Sequence, residues 1–196
     1  MENNDNTKNR ILLAALELFA EHGYDATSMR QIAELTGITK PAVYYHFPDK
    51  KSLFNGLLHF GMEHILNAIR EIAQSDLPVL DKLKEIMWTR FKQFHRHQLH
   101  INRFVSDVFT GRMRCEINLD LRSMFADMNI QLQQVINEGI TGGVFRSDLN
   151  VNHFICAFVG AQNILWHRTY IMGDGHIERQ SVDQLVDMLY CGAKTR

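Results

Sequence analysis

The sequence predicts an all-α chain, and three observations carry that expectation. Alternating apolar and polar residues, the mark of a half-buried strand, are almost absent. Apolar residues instead recur at steps of three and four over most of the 196 residues. The three prolines, Pro41, Pro48 and Pro78, each stand where a helix can begin or end.

The elements follow in order. A first helix covers Ile11 to Phe19 and reaches Gly23-Tyr24, after a polar and acidic stretch, Met1 to Asn6. A second starts at Thr27 or Ser28, because Ser28-Met29-Arg30-Gln31 fits the capping box S-x-x-Q. Met29, Ile32, Ala33 and Leu35 form its apolar side, and Thr36-Gly37 ends it. Glycine suits the positive φ of a sharp reversal after a helix. Ile38 is expected to pack under the turn. Thr39 then caps a short third helix with Pro41 in its first turn. Ala42 and Val43 face back toward the second helix. Lys40, Tyr44, Tyr45 and His46 are left outward or at the far end. Phe47-Pro48 break that helix, and Asp49 caps a long one reaching Ala73.

Beyond Pro78 the chain reads as further amphipathic helices. Leu80, Leu83, Met87, Phe91 and Phe94 share one face. Phe104, Val105, Val108 and Phe109 mark a shorter helix. Leu121, Met124, Phe125, Met128, Leu132, Val135 and Ile136 make another stripe. The segment Gly142 to Leu149 is a turn. Two helices close the chain, Asn152 to Met172 and Val182 to Cys191.

Two short helices joined by a glycine turn are the layout that lays a helix in the DNA major groove. A helix from Thr39 to His46 is about 12 Å long, so it reaches only a few base pairs. Specificity then needs two copies, one on each half-site. Lys50 and Lys51 oppose the dipole at the start of their helix, which a backbone phosphate would offset. Over residues 1–51 six Lys and Arg stand against seven Asp and Glu, so the positive charge is local: Arg30, Lys40, Lys50 and Lys51. Modest non-specific affinity is expected.

Other classes are disfavoured. The polar start from Glu2 to Asn9 does not read as a signal peptide. The apolar run from Phe154 to Met172 is interrupted by Gln162, Asn163, His167 and Arg168, so it is not a membrane span. The cysteines Cys115, Cys156 and Cys191 are scattered, which fits a reducing cytoplasm. Metalloprotease, nucleophile-elbow, P-loop and dinucleotide motifs are missing, so no enzyme is expected. Cys115 beside Arg112 and Arg114 is the one redox-sensor candidate. His95, His97 and His100 are the metal-sensor candidate, although His95 and His97 point about 200° apart on a regular helix. An architectural DNA binder would need a more basic surface than a net charge of -1 provides.

The first fifty or so residues resemble the N-terminal domain of TetR-family transcriptional regulators. The resemblance rests on Ile11 to Phe19, Gly23-Tyr24, Thr27-Ser28, Ile32-Ala33, Thr36-Gly37-Ile38, Ala42 to Phe47, Lys50 and Leu53, with spacing kept throughout. Pro41 departs from the small residue usual at its position. The turn from Gly142 to Leu149 also resembles one in the family's C-terminal part.

That resemblance implies a three-helix helix-turn-helix DNA-binding domain at 1–48. A helical ligand-binding and dimerisation domain follows at 49–196. Thr27, Thr39, Lys40 and Tyr44 would face bases or nearby phosphates; Tyr45, His46 and Lys50 would hold the backbone, and Ser28 joins the DNA-binding set. A small-molecule pocket is implied among Trp88, Phe91, Phe94, Phe104, Phe109, Met124, Phe125, Met128 and Trp166, with Met113 nearby. Such a pocket suits a small, largely apolar effector. The last two helices are expected to pair with their copies in a four-helix homodimer interface, with Gly160 and Ala161 allowing close approach. The resulting expectation is a cytoplasmic repressor on a near-palindromic double-stranded operator, released by its effector. It has no cofactor, no metal and no membrane partner. A redox or metal sensor is the competing reading, and an enzyme the remote one.

Overall fold

The structure, a computed structural model, describes residues 2–92, 121–170, 172 and 177–195. Eight α-helices lie among them: α1 (Glu2–His22), α2 (Met29–Thr36), α3 (Lys40–His46), α4 (Lys50–Gln74), α5 (Val79–Lys92), α6 (Leu121–Thr141), α7 (Val151–Tyr170) and α8 (Arg179–Ala193). Among the described residues there is no strand, only an isolated antiparallel bridge between Phe145 and Lys194. The described helices divide into two compact units, residues 2–63 and residues 64–92 with 121–195. The break falls inside α4.

The first unit is built around one core. Ile11, Leu12, Ala15 and Phe19 enter from α1; Met29, Ile32 and Ala33 from α2; Val43 and Phe47 from α3 and its end. Leu53, Phe54 and Leu57 come from the first part of α4. Burying each large side chain contributes roughly 1.5–3 kcal/mol before entropy is charged against it. The Phe54 ring meets Phe19 and Tyr24 edge-on at centroid distances of 6.3 and 5.3 Å. α4 comes close to the end of α3 because Gly56 has no side chain. A Cβ there would lie 2.7 Å from Phe47 Cε1.

Local signals explain the elements. Ser28 Oγ accepts from the Gln31 N–H at 3.3 Å, and Gln31 Oε1 accepts from the Ser28 N–H at 2.8 Å. This is the expected capping box, and it sets α2 to begin at Met29. Gly37 closes α2 with φ 66°, its N–H directed at Ala33 O and Glu34 O. Asp49 Oδ1 accepts from the Ser52 N–H at 2.6 Å at the start of α4. That bond holds the Asp49 carboxyl below the usual carboxylate range. Its capping contribution is therefore present above that range and lost as acid protonates it.

Two expectations are corrected. α1 starts at Glu2, so residues 2–6 are its first turn and not a separate leading stretch. Leu35 does not join the apolar side of α2; it is 48% exposed. The side chain sits about 110° round the helix from the middle of the set Met29, Ile32, Ala33 and Thr36.

Gly37→Val is expected to strain the turn by about 1–3 kcal/mol, because a β-branched residue at positive φ is a backbone outlier. Chemical denaturation would read that loss. Stability equal to the parent's would show that the turn adjusts without positive φ.

The second unit packs α5 against α6 and α8, and α7 against α6 and α8. Its core holds Leu83, Met87 and Phe91 from α5, Leu132, Val135 and Ile136 from α6, Phe154 and Phe158 from α7, and Val182 and Val186 from α8. Polar ties cross it. Lys82, 4% exposed, places Nζ 2.8 and 3.0 Å from the two Glu138 carboxylate oxygens. Arg179 on α8 donates to Glu85 on α5 at 2.6 Å and to Asp183 at 2.7 Å. Gln162 Nε2 donates to Met87 O at 2.9 Å. Phe145 anchors the turn between α6 and α7, packed on Phe154 and Tyr190.

Candidate nucleic-acid interface

The helix-turn-helix positions its outward side chains through few anchors. α3 is seven residues long, and Val43 is its fully buried residue. The α2 cap, the Gly37 turn and the contact of Phe47 with α4 fix where that helix begins and ends. Arg10 on α1 adds a tie, Nη2 donating to Thr36 O at 2.8 Å.

Thr39, Lys40, Tyr44 and Tyr45 are exposed together on α3 and its cap. Thr39 occupies the N-cap position but makes no side-chain capping bond. Lys40 Nζ stands 5.8 Å from the centroid of the Tyr44 ring. Tyr45 is 79% exposed, and its ring meets His46 edge-on at 5.4 Å. His46 is half-buried. This face offers an ammonium, a free-standing hydroxyl, two phenols and an imidazole, a set that donates to phosphates and base edges. Ser28 is also exposed, but its hydroxyl is engaged with Gln31 at 2.8 Å. Arg30 forms an exposed i,i+4 pair with Glu34 at 2.7 Å.

Thr27 and Lys50 are placed differently from expectation. Thr27 is 2% exposed, its hydroxyl 2.8 Å from Gly23 O and 3.1 Å from Leu18 O. Its side chain ties the end of α1 to the start of α2 and does not reach outward. Lys50 Nζ donates to Tyr24 O at 2.7 Å and Thr27 O at 2.9 Å, with Asp25 O at 3.3 Å. It also lies 4.3 Å from the Tyr24 ring centroid. The ammonium closes the α1–α2 connection, where carbonyls take the role expected of a phosphate. Sequence spacing carries no sign of this, since the partners lie 23 to 26 residues away.

Lys50→Ala is accordingly expected to cost about 1–2 kcal/mol of stability, the scale of charge-assisted bonds at a half-exposed site. The salt dependence of DNA binding should stay as in the parent. Parental stability with a salt slope flattened by about one unit would return Lys50 to the phosphate backbone.

The expected ligand residues are reached only in part. Phe91 and Trp166 are buried in the second unit. Trp88 stacks on Phe91 at 6.1 Å, with the Arg179 guanidinium 5.9 Å from its ring. Met128 is half-buried on α6. Met124 and Phe125 lie on α6, where their side chains are outside the description. Phe94, Phe104, Phe109, Met113, Cys115 and the group His95, His97 and His100 lie outside the described residues. Among the described residues no group of three or more His, Cys, Asp or Glu could hold a metal. No helix there is long and apolar enough to cross a membrane.

An all-α chain whose first unit presents a capped, glycine-turned helix pair with an exposed basic and aromatic face is a helix-turn-helix regulator. Residues 11–57 match the family model for bacterial regulatory proteins of the tetR family. The HTH-type transcriptional repressor KstR2 of Mycobacterium tuberculosis is 26% identical over 193 residues, covering 96% of this chain and 93% of that protein. The solved structure of that ketosteroid transcriptional regulator has a TM-score of 0.61 at 23% identity, covering 96% and 95% of the two chains. FadR from Bacillus subtilis, solved in complex with stearoyl-CoA, has a TM-score of 0.68 at 21% identity, covering 93% and 97%. Residues 11–57 carry the region described by the tetR-family model, and the chain is a DNA-binding transcriptional regulator.

Proposed function

We propose that the protein is a cytoplasmic, homodimeric repressor that reads a near-palindromic operator and leaves it when a small, largely apolar molecule binds, with no reaction catalysed. The observation that carries DNA reading is the exposed set Thr39, Lys40, Tyr44 and Tyr45 on α3, rigidly backed by Val43. In this reading Lys40 and Tyr44 reach bases or adjacent phosphates, and Tyr45 and His46 hold the backbone. Ser28 contributes through its place at the start of α2. The domain division at 48/49 is kept as a functional one, with α4 as the link.

One observation supports dimerisation through α7 and α8. Phe154, Phe158, Val182 and Val186 serve the unit's own core. A second, outward set remains: Ala157, Gly160 and Ile164 on α7, and Met188 and Gly192 on α8, all exposed. Small residues among larger apolar ones allow close helix approach, as a four-helix interface requires.

Two similar proteins support the effector class, one called a ketosteroid regulator and one holding stearoyl-CoA. Both molecules present a large apolar part, a steroid ring system in one and a long acyl chain in the other. Trp88, Phe91, Met128 and Trp166, with Phe94, Phe104, Phe109, Met124 and Phe125, are the proposed lining. Titrating stearoyl-CoA and a 3-ketosteroid into protein bound to labelled DNA selected from random sequence tests this. Release of the DNA by either is expected. Unchanged affinity with both, while each is shown not to bind, would overturn the apolar-effector reading.

A further inference from the structure

The outer face of α1 carries Leu13 and Glu17, which DNA reading does not use, beside Arg10, which also ties α1 to Thr36 O. Arg10, Leu13 and Glu17 follow one another at steps of three and four, so they share one helical face. Leu13 is 53% exposed, and Leu35 on α2 is 48% exposed beside it. Together with Leu16 and Thr36 these residues line an open groove of about 450 Å³ between the two helices. Single exposed leucines are ordinary; these two share one groove with a charged residue of each sign. An acidic residue on this face also argues against its lying on DNA.

The charges identify the occupant. Arg10 and Glu17 stand seven residues apart, about 10 Å along the helix, on either side of Leu13. When a second copy of α1 is laid antiparallel across this face, each Arg10 meets the other copy's Glu17. Leu13 then lies against Leu13, with Leu35 flanking. The face is thus complementary to itself, as a two-fold contact requires.

We propose that this groove joins the DNA-binding units of two dimers bound side by side on DNA, an inference that rests on the DNA-binding reading above. A patch of two leucines and one ion pair per copy falls well below the roughly 1,000 Å² that a stable interface in free solution needs. DNA removes that requirement, because neighbouring sites hold the units at a millimolar-scale effective concentration. The contact therefore acts only on DNA, as cooperativity between dimers.

The test uses duplexes carrying one or two copies of a site selected by the protein from random DNA, with the separation of the two copies varied. The parent is expected to bind the second copy about 10-fold tighter at a favoured separation, on the scale of one such contact. Leu13→Asp and Glu17→Arg should each remove that gain and leave one-site affinity unchanged. Independent binding by the parent at every separation would overturn the proposal. So would cooperativity that survives in both variants, which would place the coupling in the DNA. Failure to bind even the one-site duplex would overturn the DNA-binding reading itself, a result distinct from binding without cooperativity.

Discussion

Phe54→Ala should remove about 3–5 kcal/mol of stability, the range for truncating a buried aromatic. Phe54 is fully buried and lies against both Phe19 and Tyr24. It joins the end of α1, the connection to α2 and the start of α4 in one contact. A loss of that size is a large share of the 5–15 kcal/mol typical of a whole domain. The first unit is expected to open at temperatures where the parent is folded, and DNA binding should go with it. Urea denaturation followed by far-UV circular dichroism would read the change. A loss below about 1 kcal/mol would mean that the cavity collapses and that Phe54 is not the keystone of this unit.

Val43→Asp has the second largest expected effect. A seven-residue helix has no stability of its own, so α3 persists only through its docking. Val43 provides that docking and is fully buried. A carboxylate there must either take a charge out of water or turn α3 away from α1 and α2. The cheaper outcome is release of α3. Specific DNA affinity should then fall by at least about 100-fold, the loss expected from about 3 kcal/mol. Helix content would change little, because α3 is a small part of the chain. Parental DNA affinity in this variant would show that α3 does not read the DNA.

The parts of the fold legible in the sequence are those set by short-range chemistry. The capping box at Ser28, the left-handed Gly37, Pro41 in the first turn of α3 and the Asp49 cap each act within three or four residues. Their neighbours in sequence are their partners in space. Leu83, Met87 and Phe91 on α5 and Leu132, Val135 and Ile136 on α6 are legible for the same reason, since helical period alone decides which residues share a face.

What escaped depends on distant partners. Lys50 looks like a lysine waiting for a phosphate, and only the fold brings Tyr24 O and Thr27 O to it. Thr27 sits at the expected place at the start of α2, yet its hydroxyl turns back to carbonyls from the end of α1. Leu35 reads as core because it is apolar, whereas its angle on α2 leaves it outside. The last two helices show the same effect. Their most conspicuous apolar residues fill their own unit, and the less conspicuous Ala157, Gly160, Ile164 and Met188 face outward. The ligand-lining expectation depends heavily on residues between 93 and 120, outside the described helices.

The most direct test is fluorescence anisotropy of labelled duplex DNA from beside the protein's own gene, titrated with protein across a series of salt concentrations. Binding that saturates, outcompetes random duplex and weakens steeply with salt is the expected result. Lys40→Ala should change the preference among site variants as well as the affinity. Absence of binding at low salt, both to that DNA and to duplexes selected from a random pool, would contradict DNA reading by α3.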